Sequence, residues 1–183
     1  MDNIEWCAIS FTLPRAPSKA RVSAWRKIKQ IGAIGIGQSV WILPNGQKHL
    51  SAFEEIGKYV DENGGRHFIF KSVFQKPDEE IIALFNKERN EEYNELLDKC
   101  EDFFEEIDKE TKKKNFCYGE LEENEQELEK LIAWFEKIVR RDFFTSAIRE
   151  SAESELQKCK LVFERFSDRV YQENALPEGE SND

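Results

Sequence analysis

Residues 21–46, RVSAWRKIKQIGAIGIGQSVWILPNG, carry a helical pattern followed directly by a hairpin pattern. Apolar residues recur at helical spacing over 19–31, and Ser18 is a suitable N-cap for that helix. Two short apolar runs, 33–36 and 39–43, follow and indicate a β-hairpin. A helix that leads into a hairpin is the centre of a βαββαβ unit.

The flanking segments complete this unit. Residues 5–13 are rich in aromatic and β-branched types and predict a first strand, and residues 66–74 predict a last one. Between the hairpin and residue 66, apolar residues at helical spacing precede Gly64-Gly65 and predict a second helix. The order is that of a ferredoxin-like module. Since both helices would cover one sheet face, the other face must be solvated, covered by another segment or used in association.

Beyond Pro77 the sequence is acidic and helical. One helix is expected from Asp78 to about residue 115, although residues 81–85 alone would also suit a short edge strand. Two more helices are predicted over about 121–143 and 145–172. The predicted fold class is therefore α+β, a ferredoxin-like βαββαβ module followed by a region of about three helices.

We expect three parts in the chain. Residues 1–76 form the ferredoxin-like module, and residues 77–172 form a helical region packed on it. Residues 173–183 are polar and lack apolar periodicity, which predicts a disordered tail.

Charge divides the chain more sharply than composition does. The net charge is −10, but residues 1–77 carry 11 basic and 6 acidic side chains, a balance of +5. Residues 78–183 carry 16 basic and 31 acidic side chains, a balance of −15. A positive front half keeps nucleic-acid binding open despite the acidic total. No window approaches the ~20 apolar residues of a membrane span, and we expect a cytoplasmic protein.

The sequence predicts neither a metal nor another cofactor. Four cysteines are widely spaced without a CxxC pair, which favours reduced thiols over a zinc site. The acidic helices contain no histidine, so a di-iron site built on Glu-x-x-His pairs is disfavoured and a solvated acidic surface is favoured.

The helix over 19–31 has an apolar side and a basic side. At ~100° per residue the apolar side, expected to face the sheet, holds Val22, Ala24, Trp25, Ile28 and Ile31. Trp25 and Trp41 are therefore expected in the core rather than as base-stacking side chains. The basic side is open to two interpretations. It is either a solvated face of Lys19, Arg26 and Lys27, with Arg21 snorkelling around the helix start or pairing with a carboxylate of the acidic half, or a face that contacts phosphates.

Several stretches resemble the N-terminal region of the bacterial chromate-resistance regulators called ChrB. The matching stretches are WCAISFTLP (6–14), SKARVSAWRKIK (18–29), IGA (31–33), SVWILP (39–44), NKERNEEY (86–93), WFEKIVRRDFF (134–144) and LVFERFSDRVY (161–171). Together they cover nearly the whole chain up to Tyr171. Full-length members of the family continue into a further C-terminal domain.

The resemblance implies a transcription regulator that binds DNA and responds to chromate or a similar oxyanion, and we expect a homodimer. The residues expected to contact DNA are Arg15, Lys19, Arg26 and Lys27. A tetrahedral dianion would require guanidinium or ammonium groups, for which the candidates are Arg21, Arg140 and Arg141.

The sequence also bears on two other functional classes. One is a protein-interaction or accessory module, in which the acidic helices bind a basic partner and DNA is not contacted. The other is suggested by fold-level analogy to small CRISPR-associated nucleases, which bind metal through an Asp at the end of the first strand. Here Ser10-Phe11-Thr12-Leu13 occupies that place, so two-metal hydrolysis has no anchor and we expect no enzyme activity.

Overall fold

The structure is a computed structural model that describes residues 4–16, 18–74 and 77–175. It divides into two compact units, Met1–Lys87 with Arg141–Phe144 and Glu88–Arg140 with Thr145–Asp183. The described elements are β1 (Trp6–Thr12), α1 (Ser18–Gln30), β2 (Ile34–Gly35), β3 (Val40–Pro44), α2 (Gln47–Glu62), β4 (Arg66–Ser72), α3 (Asp78–Lys113), α4 (Tyr118–Val139) and α5 (Arg149–Asn174). The predicted α+β class, with a helical C-terminal region, is confirmed.

The four strands of the first unit form one antiparallel sheet in the order β2-β3-β1-β4. Strand β1 lies inside the sheet, and its Ile9 is opposite Trp41 of β3 and Ile69 of β4. Its first four residues, Trp6 to Ile9, are buried, as expected for a strand with neighbours on both edges. The order is that of the predicted βαββαβ module.

Helix α2 covers one face of this sheet. Residues directly opposite each other in an antiparallel pair share a face, so Ile9 and Ile69 lie on the same side as Phe11 and His67. A Cβ atom added to Gly57 of α2 would lie only 2.5 Å from His67 Nε2. The absence of a side chain at Gly57 therefore sets how closely the helix approaches β4.

The opposite sheet face carries Trp6 and is partly covered. The Phe85 ring is stacked on the Trp6 indole with 5.6 Å between centroids, and Phe144 lies 5.9 Å away. The Asp78 carboxylate accepts hydrogen bonds from the Trp6 indole N–H and from the Ile4 backbone N–H. Of the three possibilities left open for this face, coverage by other segments holds at the Trp6 end.

At the β4 edge the same face is exposed. By register, Phe68 and Phe70 lie opposite Ser10 and Ala8 and so share the Trp6 face. Their exposed fractions are 70% and 43%.

Residues 81–85, which suited either a strand or a helix, are helical and lie in the second turn of α3. Ile81 and Phe85 are four residues apart and both are buried in the core of the first unit. Helical spacing places these two large side chains on one side, where both reach the sheet.

The second unit has its own apolar core, formed by α3 from Glu88 onward, α4 and α5. Helices α4 and α5 are shorter at their junction than the predicted ranges 121–143 and 145–172. A turn at residues 140–148 separates them, with Thr145 at a φ of 55°. The Ser146 hydroxyl donates to Asn90 Oδ1 and accepts the Ile148 N–H, so it supports the start of α5.

Helix α3 ends in a small hydrogen-bond network around Glu110. This carboxylate is 3% exposed and accepts from Lys113 Nζ at 2.8 Å and from Asn115 Nδ2 at 2.6 Å. The hydrogen bond from Lys113, followed by that from Asn115, lowers the pKa of Glu110 below its ordinary value. The network holds the last turn of α3 against the following chain.

The predicted tail overlaps the end of the structure. Residues 173 and 174 are the last of α5, whereas residues 176–183 lie outside the described residues. Among the helices that are described, none has both the length and the apolar composition needed to cross a membrane.

Candidate nucleic-acid interface

Helix α1 carries five basic residues and no acidic one over its 13 residues. It ends at Gly32, whose φ is 81°, with hydrogen bonds from Gly32 N–H to Lys29 O and from Ala33 N–H to Ile28 O. This is a Schellman termination, in which glycine tolerates the left-handed conformation. A Cβ atom at Gly32 would also lie 2.8 Å from Arg141 Cβ, so glycine is needed there for space as well.

The buried side of α1 is narrower than the sequence pattern predicted. Ala20, Ala24 and Ile28, each four residues apart, are its buried residues. Val22 and Trp25 were expected on the same side, and that prediction is wrong, because their exposed fractions are 45% and 52%. At ~100° per residue Trp25 lies ~100° and Val22 ~160° around the helix from Ala24. The small side chains of Ala20 and Ala24 let α1 pack closely against the core of the first unit. The larger Val22 and Trp25 side chains are left partly in solvent.

Most cations of α1 project into solvent, whereas Lys29 is half-buried. Lys19, Arg21 and Arg26 are exposed, as is Arg15 in the preceding loop. Within residues 4–16, 18–74 and 77–175, none of these four makes an ion pair with a carboxylate. Lys27 is also exposed, and its ammonium lies 5.4 Å from the centre of the Tyr59 ring of α2. Pairing of Arg21 with a carboxylate is therefore not found among the described residues, whereas the exposure of Lys19, Arg26 and Lys27 fits both a solvated face and a phosphate-contacting face.

The exposed apolar residues and the cations form one surface. Ser18, Arg21, Val22 and Trp25 line a shallow depression on the outer side of α1. Around the helix axis the order is Arg21, Trp25, Val22, Arg26 and Lys19, so the apolar pair lies between cations on both sides. We call these five residues the outer α1 face. Such a surface offers charge for phosphates and an aromatic ring for a base.

The three candidate anion-binding arginines do not all belong to the same unit. Arg141 is half-buried beside the end of α1, and its Nη1 donates to Lys29 O at 3.4 Å. Arg21 precedes Lys29 by eight residues on α1, which is about 12 Å along the helix axis. Arg140 belongs to the other unit, and its Nη2 lies 3.5 Å from Glu136 Oε2.

Three of the four thiols are buried. Cys7, Cys100 and Cys159 are buried and Cys117 is exposed. The Cys7 thiol lies 3.6 Å from Leu43 O, and burial raises its pKa above the ordinary value, so the thiolate is disfavoured. Among the described His, Cys, Asp and Glu residues, no three come together as a metal site requires.

The chain matches the family model described as "Protein ChrB, N-terminal" over residues 21–177, which is most of its length. The chain belongs to the ChrB N-terminal family. The resemblance found in the sequence motifs is thereby confirmed, and the family is associated with chromate resistance and its regulation. No curated protein and no solved structure matches the chain.

The ChrB N-terminal match begins at Arg21 and includes Val22, Trp25 and Arg26 of the outer α1 face, whereas Arg15 and Lys19 precede it. Sequence reasoning placed the cations correctly outside but missed Trp25 as a surface residue. The available signal was the Ala20, Ala24, Ile28 repeat, a complete helix stripe that needs no tryptophan beside it.

Proposed function

We propose that this member of the ChrB N-terminal family is a cytoplasmic, non-enzymatic transcription regulator that binds DNA through the outer α1 face, as a homodimer. The observation that supports it is the group of exposed cations, Arg15, Lys19, Arg21 and Arg26, which have no carboxylate partner among the described residues. Each such cation that meets a phosphate releases condensed counterions, which drives association at low salt.

The charge of the other helices favours α1 as the contacting element. Most lysines of the second unit have an acidic neighbour within one helical turn, for example Lys109 with Glu106 at 2.7 Å and Lys158 with Glu155 at 2.6 Å. A lysine that is already paired contributes less to phosphate binding, because the acidic group repels the DNA. Basic α1 lacks any such acidic group on its own helix.

A mobility-shift titration with promoter DNA of the protein's own operon tests the proposal. The Lys19→Ala/Arg26→Ala/Lys27→Ala variant is expected to bind at least about tenfold more weakly than the wild type. The matched control is Lys99→Ala/Lys109→Ala/Lys158→Ala, which removes three lysines of the helical unit and should leave affinity unchanged. Thermal melting of both variants verifies that they fold.

We further propose that chromate or a similar oxyanion is the effector and that Arg21 contacts it. Arg21 is exposed and has no acidic partner among the described residues, so its guanidinium is available to an anion. Chromate or sulfate should raise the melting temperature of the wild type and not that of Arg21→Ala. Equal shifts in both proteins would exclude Arg21 as the contact.

A second candidate is an accessory module that binds a basic protein through its acidic helices. Carboxylates on one side of α4, those of Glu122, Glu123 and Glu127, line an open depression together with Lys130 and favour this candidate. This candidate predicts no DNA binding by the wild type even at low salt, so the same mobility-shift titration distinguishes the two.

A further inference from the structure

The outer α1 face has an apolar centre that phosphate binding alone does not use. Trp25 and Val22 are three residues apart, so their side chains adjoin on one side of the helix. Both are about half exposed, and Arg21 lies on one flank and Arg26 on the other. A large indole held in solvent between two cations matches a strand of nucleic acid, which alternates charged phosphates with flat bases.

The surroundings of α1 decide which form of nucleic acid this surface fits. Helix α2 borders α1 on the Lys27 side, where the Lys27 ammonium lies over the Tyr59 ring. Lys27 lies ~140° around the helix axis from Val22 and ~160° from Trp25, so α2 leaves the outer α1 face open. Base edges in a major groove are read mainly by hydrogen-bonding side chains, whereas the centre of this face is an indole and a valine side chain, which suit stacking on a flat base. Unpaired bases are accessible without entering a groove.

We propose that Trp25, supported by Val22, is a stacking platform for an unpaired base, with the flanking phosphates held by Arg21 and Arg26. The favoured ligand is then single-stranded or locally opened DNA rather than a fully paired duplex. This inference rests on the proposed DNA binding and adds the class of DNA. The exposed π face of the base covers the indole and removes its apolar surface from water.

Fluorescence anisotropy with three labelled DNAs tests it: oligo(dT) of about 16 nucleotides, a duplex with a central unpaired bubble, and the same duplex fully paired. Trp25→Ala should weaken binding to oligo(dT) and to the bubble by about 5- to 100-fold. Binding to the paired duplex, which depends on phosphates, should change little. Trp25→Phe keeps an aromatic face and should retain most of the affinity.

Intrinsic fluorescence provides a second readout. Oligo(dT) should quench the wild-type emission, and Trp25→Phe should abolish that quenching although Trp6, Trp41 and Trp134 remain. Tyr171→Ala is the matched control, since Tyr171 is an exposed aromatic residue of α5. It should leave both readouts unchanged.

The outcomes separate this inference from the proposed function. If Trp25→Ala binds oligo(dT) and the bubble as the wild type does, the stacking platform is refuted while DNA binding stands. If the wild type binds none of the three DNAs at low salt, both fall. If sedimentation shows that Trp25→Ala loses self-association without any change in DNA affinity, the patch is a protein interface and the inference is overturned.

Discussion

In α1 the five basic side chains share their helix with no acidic residue, whereas in α3 Lys99, Lys109, Lys112 and Lys113 each have an Asp or Glu partner one turn away. The amino-acid types are the same, but the neighbours differ. In α3 the positive charge is neutralised locally and contributes to helix stability. In α1 the charge of Lys19, Arg21 and Arg26 remains available to an external anion. A basic residue therefore indicates a binding surface only when its own helix leaves it unpaired.

The largest expected effect concerns the two sides of α1. Ile28 is fully buried, so Ile28→Ala removes core contacts and should lower the free energy of unfolding by about 2–5 kcal/mol. Val22→Ala on the outer α1 face should change it by less than about 0.5 kcal/mol. Urea unfolding followed by circular dichroism measures both. Similar losses in the two variants would mean that α1 is buried on both sides.

Glu110 is expected to make the stability of the protein depend on pH in the acidic range. Since its pKa in the folded protein is lowered, its contribution to stability is complete above the ordinary value of 4.5 and is lost as the pH falls through the lowered value. Glu110→Gln should reduce stability at neutral pH and flatten the decrease below pH 4.5. The urea midpoint, measured over a pH series, reports this.

The control for that series is Glu91→Gln, which changes an exposed carboxylate of the same helix. Its pH profile should follow the wild type. A Glu110→Gln profile that also follows the wild type would show that the Lys113 and Asn115 hydrogen bonds do not stabilise the end of α3.

An added carboxylate should make α1 resemble α3. In Gln30→Glu the new side chain lies four residues after Arg26, close enough to pair with it. DNA affinity should fall by about two- to fivefold, because one charge is added and one cation is engaged. Gln157→Glu places the same change on an exposed position of α5 and should have no effect. Equal decreases in the two variants would indicate that only net charge matters.

The smallest expected effect is the loss of one paired lysine. Lys158 Nζ lies 2.6 Å from Glu155 Oε1 at a partly exposed site, so Lys158→Gln should cost only about 0.3–0.5 kcal/mol of stability. At 1 M salt the difference from the wild type should shrink, since exposed ion pairs are screened. Thermal melting at low and high salt measures it, and a loss that is independent of salt would argue against an ionic origin.

The fold followed closely from the sequence. The strand predicted over 5–13 is found at Trp6–Thr12, and the strand predicted over 66–74 is found at Arg66–Ser72. Alternating β-branched and aromatic residues bounded by proline or glycine are a strong local signal. Helix α1 spans Ser18–Gln30 and ends before Gly32, close to the predicted range 19–31, although Ser18 is its first residue and not the predicted N-cap.

The site was predicted less completely. The apolar side assigned to α1 spanned about half of the helix circumference, and periodicity alone does not say which part of so wide an arc is buried. Packing determines which part of the arc is buried, because Ala20 and Ala24 allow α1 to approach the core more closely than Trp25 would. The secondary structure of residues 81–85 likewise depends on the sheet face that Ile81 and Phe85 cover. This is a long-range contact, which a local sequence pattern does not show.

The most direct test of the exposed cations on α1 is the salt dependence of DNA binding by the wild type and by Lys19→Ala/Arg26→Ala/Lys27→Ala. If these three cations meet phosphates, the slope of log K against log salt should become shallower by about 2 to 3 units in the variant. The same slope in both proteins would contradict the account, because the released counterions would then come from elsewhere in the chain.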